Sequence, residues 1–85
     1  MEAIVTMTTP SIPCRLDQMK AGARCTVENI ESDEIAMQRL MAMGLCVGRE
    51  LEIIRHGNPL IVELLGARIG VSARVARHII VGPTR

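Results

Sequence analysis

The sequence predicts a mostly-β fold: a small closed β-barrel of about five short strands, with one inserted α-helix and a short helical turn before the last strand. Three observations lead to this prediction. Short stretches of alternating apolar and polar residues follow one another closely after residue 23. Turn-forming residues such as glycine and proline separate them. Only one stretch, residues 34–43, has the apolar spacing of an amphipathic helix.

The chain is expected to divide into one domain and two short ends. Residues 1–13 contain Thr-Thr-Pro and Ile-Pro and show no periodicity, which predicts a flexible N-terminal segment. The domain is expected to span residues 14–82, and residues 83–85 are expected to form a C-terminal tail. With 85 residues in total, the chain is long enough for one small core.

The domain is predicted to start with a single helical turn and a strand. Leu16 and Met19 are three residues apart, as in one helical turn, and Gly22 ends that turn. The alternating sequence that follows predicts the first strand. The residues expected to face the core are Cys25, Val27 and Ile30.

One helix of about three turns is predicted next. Ser32 or Asp33 is the expected N-cap, and Gly44 stands where a left-handed residue commonly ends a helix. Met37 and Met41 are expected on the flank of the core-facing stripe. That stripe is predicted to consist of Ala36, Leu40 and Met43.

The segment after the helix, residues 44–48, is called the elbow here. Gly44 and Gly48 are expected to turn the chain, with Leu45 folded back over the core. Residues 49–54 alternate between charged and apolar side chains, which predicts a half-exposed strand. The elbow is therefore expected to position the helix against the barrel.

The second half of the domain is predicted to contain a hairpin, a helical turn and a last strand. Turn formers at 57–59 precede a strand over residues 60–65, whose Glu63 side is expected to face solvent together with Ile61 and Leu65. Gly66 allows a tight reversal into the next strand. The sequence "ARVAR" then predicts one helical turn, and "HIIV" predicts the last strand.

Composition and charge argue against several classes of function. The formal net charge is only +1, so no nucleic acid partner is expected. Phe, Tyr and Trp are absent, which leaves nothing for bases to stack on. The odd number of cysteines suggests reduced thiols in a cytoplasmic protein. Neither a signal peptide nor an apolar run of about 18 residues is visible, so we expect a protein that is not inserted in a membrane.

Several short motifs, in order and at these spacings, resemble the FeoA family over residues 16–81. They are Leu16, Met19 and Gly22; "RLMAMGL" followed by Gly48; "PLIVEL" with Gly66 and "RIGV"; and Ala76 with "IIV". The resemblance implies an SH3-like β-barrel in a small cytosolic protein of bacterial ferrous iron uptake. Its implied partner is FeoB, a membrane transporter with a cytosolic GTP-binding domain.

The resemblance leaves one alternative open, since similar domains occur at the C-terminus of some DtxR-type repressors. The chain would then be an SH3-like regulatory or metal-sensing domain. Two departures from the family pattern concern the partner surface. Val47 stands where proline is usual, and Val71 with Ser72 stands where Leu-Arg is frequent.

Residue chemistry favours a binding module over an enzyme. No nucleophile with a base, phosphate loop or spaced metal motif appears, and we expect no cofactor and no metal site. His56 and His78 are interpreted as structural or surface residues, and the acidic residues around the helix start as capping and solvated groups. Two alternatives stay open: a soft-metal site from Cys14 and Cys46, and an enzyme that uses the thiols.

Two surfaces are candidates for partner binding. The first combines the helix flank with the elbow, where flexible methionines can adapt to another protein; it consists of Met37, Arg39, Met41, Leu45 and Cys46. The second is a basic face formed by Arg68, Arg74 and Arg77. Weak homo-oligomerisation is also left open.

Overall fold

The computed structural model describes residues 12–84. In chain order the elements are β1 (Cys14–Arg15), a 3-10 turn (Leu16–Gln18), β2 (Arg24–Ile30), α1 (Glu34–Ala42), β3 (Glu50–Arg55), β4 (Leu60–Leu64), β5 (Ala67–Val71), α2 (Ala73–Ala76) and β6 (Ile79–Gly82). The mostly-β class is confirmed, and so are the inserted helix and the short helix before the last strand. Most of the predicted N-terminal segment lies outside the described residues.

The strands form one antiparallel sheet of six strands in the order β1-β6-β2-β3-β4-β5. The sheet thus has six strands where about five were predicted, and over residues 12–84 it is not closed as the sequence suggested. An additional strand, β1, pairs with β6 through Cys14↔Val81 and Arg15↔Ile80. No strand pairing joins the edge strands β1 and β5 within residues 12–84, so the barrel is loose. β1 has only two residues, which pair with β6, and the chain then enters the 3-10 turn.

A bulge in β2 explains how its inward residues can break strict alternation. Cys25 and Val27 are buried, and so is Ile30, three positions further on. The pairing with β6 shifts register between Val27 and Asn29, which leaves Glu28 and Asn29 both exposed. Because a bulge adds one residue, it reverses the facing of everything after it. The predicted inward set of β2 is confirmed.

The core is aliphatic, as the absence of aromatic residues requires. The inward residues of β3 and β4 are buried in the core, as the alternation of the sequence predicts. On the other side of β4, Ile61 and Glu63 are half-buried, and Leu65 just after the strand is exposed. The largest fully buried side chains are Leu16, Leu45, Ile53, Leu60, Ile79, Val27, Val62, Val81 and Cys25.

The ends of α1 agree with the prediction. The carboxylate of Asp33 accepts a hydrogen bond of 2.8 Å from the backbone N–H of Ala36, so Asp33 is the N-cap. Gly44 has φ +93°. The N–H groups of Gly44 and Leu45 donate to the carbonyls of Met41 and Leu40, at 2.9 Å in both cases. This pairing is a Schellman motif, in which a left-handed glycine ends the helix.

The predicted core stripe of α1 is only partly right. Leu40 is buried, Ala36 is half-buried, and Met43 is exposed over 43% of its surface. The physical reason lies in the Schellman motif. The chain reverses directly after Met43, and the side chain that packs on Leu40 in such a motif is the second residue beyond the cap, Leu45. Leu45 is fully buried in the place assigned to Met43.

The β3–β4 loop ties two helical segments to the sheet at the end remote from the elbow. The Oδ1 atom of Asn58 accepts a hydrogen bond of 3.0 Å from the N–H of Ala73, at the start of α2. The Nε2 atom of His56 lies 3.0 Å from the carbonyl oxygen of Asp17 in the 3-10 turn. His56 therefore has the structural role that the sequence suggested.

Candidate docking surface

The elbow is held against β2 by its backbone. The N–H of Gly48 donates to the carbonyl of Val27 at 2.8 Å, and the N–H of Val27 donates to the carbonyl of Arg49 at 2.9 Å. Gly48, like Gly44, has a positive φ, here +91°. Two left-handed glycines and a backbone attachment fix the path of the chain between α1 and β3.

The side chain of Arg49 binds two residues of the elbow, a role that the sequence analysis missed. Its Nε atom donates to the carbonyl oxygen of Gly44 at 3.1 Å, and its Nη2 atom lies 3.7 Å from the Sγ atom of Cys46. The last carbonyls of a helix have no partner inside the helix, so an arginine soon after a glycine stop is a natural candidate to bind there. The elbow is thus preorganised before any partner arrives.

The structure separates the predicted docking residues into surface and supporting positions. Arg39 is exposed, and Met41 is exposed over 53% of its surface. Met37 and Cys46 are half-buried, and Met37 packs against the core. Leu45 is fully buried, so its side chain shapes the elbow and offers no surface to a partner.

Three exposed apolar residues near the elbow were not among the predicted docking residues. Met43 directly precedes the elbow, Val47 lies within it, and Leu65, at the tip of the β4–β5 hairpin, is exposed over 70% of its surface. A Cβ atom on Gly44 would lie 3.6 Å from the Cδ1 atom of Leu65, so the hairpin tip lies beside the elbow. The outward position of Leu65 was visible in the strand alternation, but its position beside the elbow depends on the fold.

The predicted basic residues are all exposed but lie on different elements. Arg68 is on β5, opposite Glu63 of β4. Arg74 and Arg77 belong to α2 and its C-cap. Arg74 lines a groove of about 320 Å³ between the start of α1 and α2, whose other charged residues include Asp33. The structure therefore places Arg74 and Arg77 on one short helix and Arg68 on a separate strand.

The thiols occupy distinct environments, and all three are free cysteines. Cys14 donates to the Sδ atom of Met19 at 3.5 Å. Burial, and then the negative charge of Asp17, raise the pKa of the Cys14 thiol. Burial, with a smaller contribution from Cys14, raises the pKa of the Cys25 thiol to about 12. Cys46 donates weakly to the carbonyl oxygen of Gly44 at 3.8 Å.

We expect a maleimide at neutral pH to label Cys14 and Cys46 in the folded protein and to leave Cys25 unlabelled. Cys25 is fully buried, and its raised pKa keeps it a thiol, whereas the thiolate is the reactive form. Mass spectrometry of labelled peptides measures this, with the denatured protein as the control in which all three should react. Labelling of Cys25 as fast as Cys46 would contradict the described core.

Residues 12–84 contain no group of three or more His, Cys, Asp and Glu side chains placed to hold a metal ion. In the same range, no helix is long and apolar enough to cross a membrane.

Comparison with known proteins gives consistent matches. The model of the FeoA domain family matches residues 14–83. A protein of Methanocaldococcus jannaschii named Fe(2+) transport protein A is 36% identical over 63 residues, which cover 73% of this chain and 77% of that protein.

Two solved structures show how the fold is shared. An iron uptake regulatory protein, FeoA, superimposes with a TM-score of 0.81 at 25% identity, covering 86% of this chain and 100% of that one. The IdeR protein of T. acidophilum superimposes with a TM-score of 0.79 at 16% identity, and the match covers 99% of this chain but only 37% of that one. The likeness to IdeR shows the fold alone.

The SH3-like architecture implied by the sequence resemblance is therefore confirmed by solved FeoA structures. The family model spans nearly the whole described domain, and the M. jannaschii relative matches over most of both chains. The chain belongs to the FeoA domain family, whose members are accessory proteins of ferrous iron transport.

Proposed function

We propose that this protein binds the cytosolic side of a FeoB-type membrane transporter of ferrous iron and modulates its assembly or activity. Family membership and the iron-transport name of the M. jannaschii relative support the transport system. The observation that carries the binding role is the exposure of the apolar side chains of Met41, Met43 and Val47 at the end of α1 and on the elbow, whose backbone is held by hydrogen bonds.

The elbow is suited to binding because little has to be ordered when a partner arrives. The Schellman motif, the attachment to β2 and the Arg49 contact fix its backbone in the free protein. Binding to a fixed surface avoids much of the entropy cost of association. The methionine side chains remain flexible and can adapt to the partner surface.

The protein acts in this proposal as a binding module and not as an enzyme, without a cofactor of its own. Arg39 is exposed on α1 two residues before Met41 and in this proposal orients the partner through a charged contact. The repressor-type alternative has only a shared fold behind it, and we do not propose it as the function of this chain.

Met41→Glu is expected to weaken binding to the full-length transporter by roughly tenfold or more, since a buried charge at the centre of an interface is costly. The melting temperature should stay nearly unchanged, because Met41 is half exposed in the free protein. Ile35→Glu is the matched control: Ile35 is exposed at the opposite end of α1, and its replacement should leave binding intact. Co-purification and titration with the detergent-solubilised transporter measure both variants.

The basic residues of α2 provide the contrasting surface. Arg74→Glu with Arg77→Glu should weaken binding modestly and mainly at low salt, because exposed charges act on encounter rate and are screened. If Met41→Glu binds normally while the paired arginine change abolishes binding at all salt concentrations, the docking face is α2 and the proposed placement is wrong.

A further inference from the structure

The β4–β5 hairpin has an unusual residue at its tip. Leu64 pairs with Ala67, so the connection is the two-residue turn Leu65-Gly66. Both turn residues have positive φ, +52° for Leu65 and +78° for Gly66. This is the requirement of a type I′ turn, which strongly prefers Asn-Gly. Leu65 is the only non-glycine residue with positive φ among residues 12–84.

Nothing in the fold explains a leucine at this position. A bulky side chain is strained in the left-handed region, where asparagine is far better tolerated. Leu65 gains little from burial in return, because 70% of its surface is exposed. Two unfavourable features thus coincide in one residue. Strain of this kind is characteristic of positions that serve binding.

A second unfavourable arrangement lies beside the hairpin tip. Glu52 of β3 and Glu63 of β4 are directly opposite each other across the ladder. Facing like charges destabilise a strand pair. The nearest basic residue on β2, Arg24, places its Nη2 atom 3.6 Å from Glu50 instead. On their other sides Glu52 faces Arg24 of β2 and Glu63 faces Arg68 of β5, although among the residues that the structure describes neither glutamate makes a side-chain ion pair.

The two features share one surface depression. A groove of about 310 Å³ runs along this outer face of the sheet and reaches the hairpin tip. Three carboxylates and one guanidinium line it, so its lining is net negative. The lining residues are Arg24, Glu50, Leu51, Glu52, Glu63, Leu64, Leu65 and Gly66.

We propose that Leu65 is the apolar anchor of the docking surface and enters an apolar socket on the partner whose rim carries Lys or Arg side chains that pair with Glu52 and Glu63. The inference rests on the proposed function, so the partner is the cytosolic surface of the transporter. Charge complementarity selects a basic rim, and a projecting leucine selects an apolar socket. Leu65 lies beside the elbow at Gly44, which brings the anchor close to the end of α1.

The decisive variant is Leu65→Asn, which gives the turn its preferred sequence and removes the anchor. We expect a melting temperature equal to or above that of the wild type, together with at least tenfold weaker binding to the detergent-solubilised full-length transporter. Ile35→Gln removes an equally exposed apolar side chain at the start of α1 and should bind like the wild type. A structural role for Leu65 would instead lower the melting temperature.

The contacts of Glu52 and Glu63 with the basic rim are tested by a separate variant. Glu63→Gln removes the repulsion with Glu52 and the cross-strand attraction to Arg68 together, so we expect little change in thermal stability, weaker binding and a shallower dependence of affinity on salt concentration. Glu34→Gln, at the exposed start of α1, is the matched control and should change neither affinity nor salt dependence.

The outcomes separate the two proposals. If Leu65→Asn binds like the wild type while Met41→Glu fails to bind, the anchor is wrong and the docking function stands. A lower melting temperature for Leu65→Asn also overturns the anchor. If the wild type itself does not bind the transporter, both proposals fail. If Leu65→Asn turns a wild-type dimer into a monomer, the occupant is a second copy, and the assignment to the transporter is wrong.

Discussion

Leu40→Ala is expected to lower the free energy of unfolding by about 2–5 kcal/mol, through lost burial and the cavity left behind. Leu40 is the one residue of α1 that is fully part of the core. Its truncation therefore removes the most deeply buried contact between the helix and the barrel as well as opening a cavity. Since small domains are stable by about 5–15 kcal/mol, the loss is a large share of the total.

Met43→Ala on the same helix is the matched comparison. The structure exposes 43% of Met43, so we expect a loss within about 1 kcal/mol. Urea denaturation of both variants, with the slopes compared, measures the difference. Equal losses for the two variants would mean that the helix packs on the face predicted from periodicity, with Met43 in the core.

Gly44→Ala should produce the second large loss of stability, and Gly48→Ala shows how much of it comes from the backbone alone. The two glycines have nearly equal φ angles, +93° and +91°. A side chain at either position is strained at a cost of about 1–3 kcal/mol. At Gly48 a Cβ atom would meet nothing within 4 Å, whereas at Gly44 it would lie 2.9 Å from the Cδ1 atom of Leu64.

The difference between the two variants isolates the packing contribution at Gly44. Leu64 is buried and has little room to move aside, so Gly44→Ala should lose roughly a further 1–3 kcal/mol by overpacking. Thermal and urea melts of the two alanine variants measure this. If Gly48→Ala is the less stable of the two, the close approach of the elbow to β4 is not what the structure describes.

Local chemistry made much of this fold predictable. The Asp33 cap, the Gly44 stop and the inward residues of β3 and β4 follow from short-range rules that tertiary packing did not override. The strand β1 could not be found, because two residues carry no periodicity. Its pairing with the end of the chain is a long-range property.

The docking surface was only partly predictable for a different reason. Periodicity on a helix wheel ranked Met43 as a core residue, but the Schellman motif ends the helix there, so that Met43 is exposed while Leu45 is buried as expected. Leu65 lies beside the elbow only because elements that are distant in the sequence pack together in the fold. A sequence pattern can show that Leu65 faces outward, but it does not show that its backbone is left-handed or that Gly44 lies beside it.

The position of β6 between β1 and β2 has a consequence for synthesis of the chain. Val81 pairs with Val27 on one side and with Cys14 on the other, so the second half of β2 stays unpaired until residues 79–82 have been made. A nascent chain that stops earlier exposes an apolar strand edge, which is prone to aggregate. The ribosome must therefore translate almost the entire domain before the sheet can cover the core. A chain that terminates before β6 is expected to be bound by chaperones or degraded by proteases.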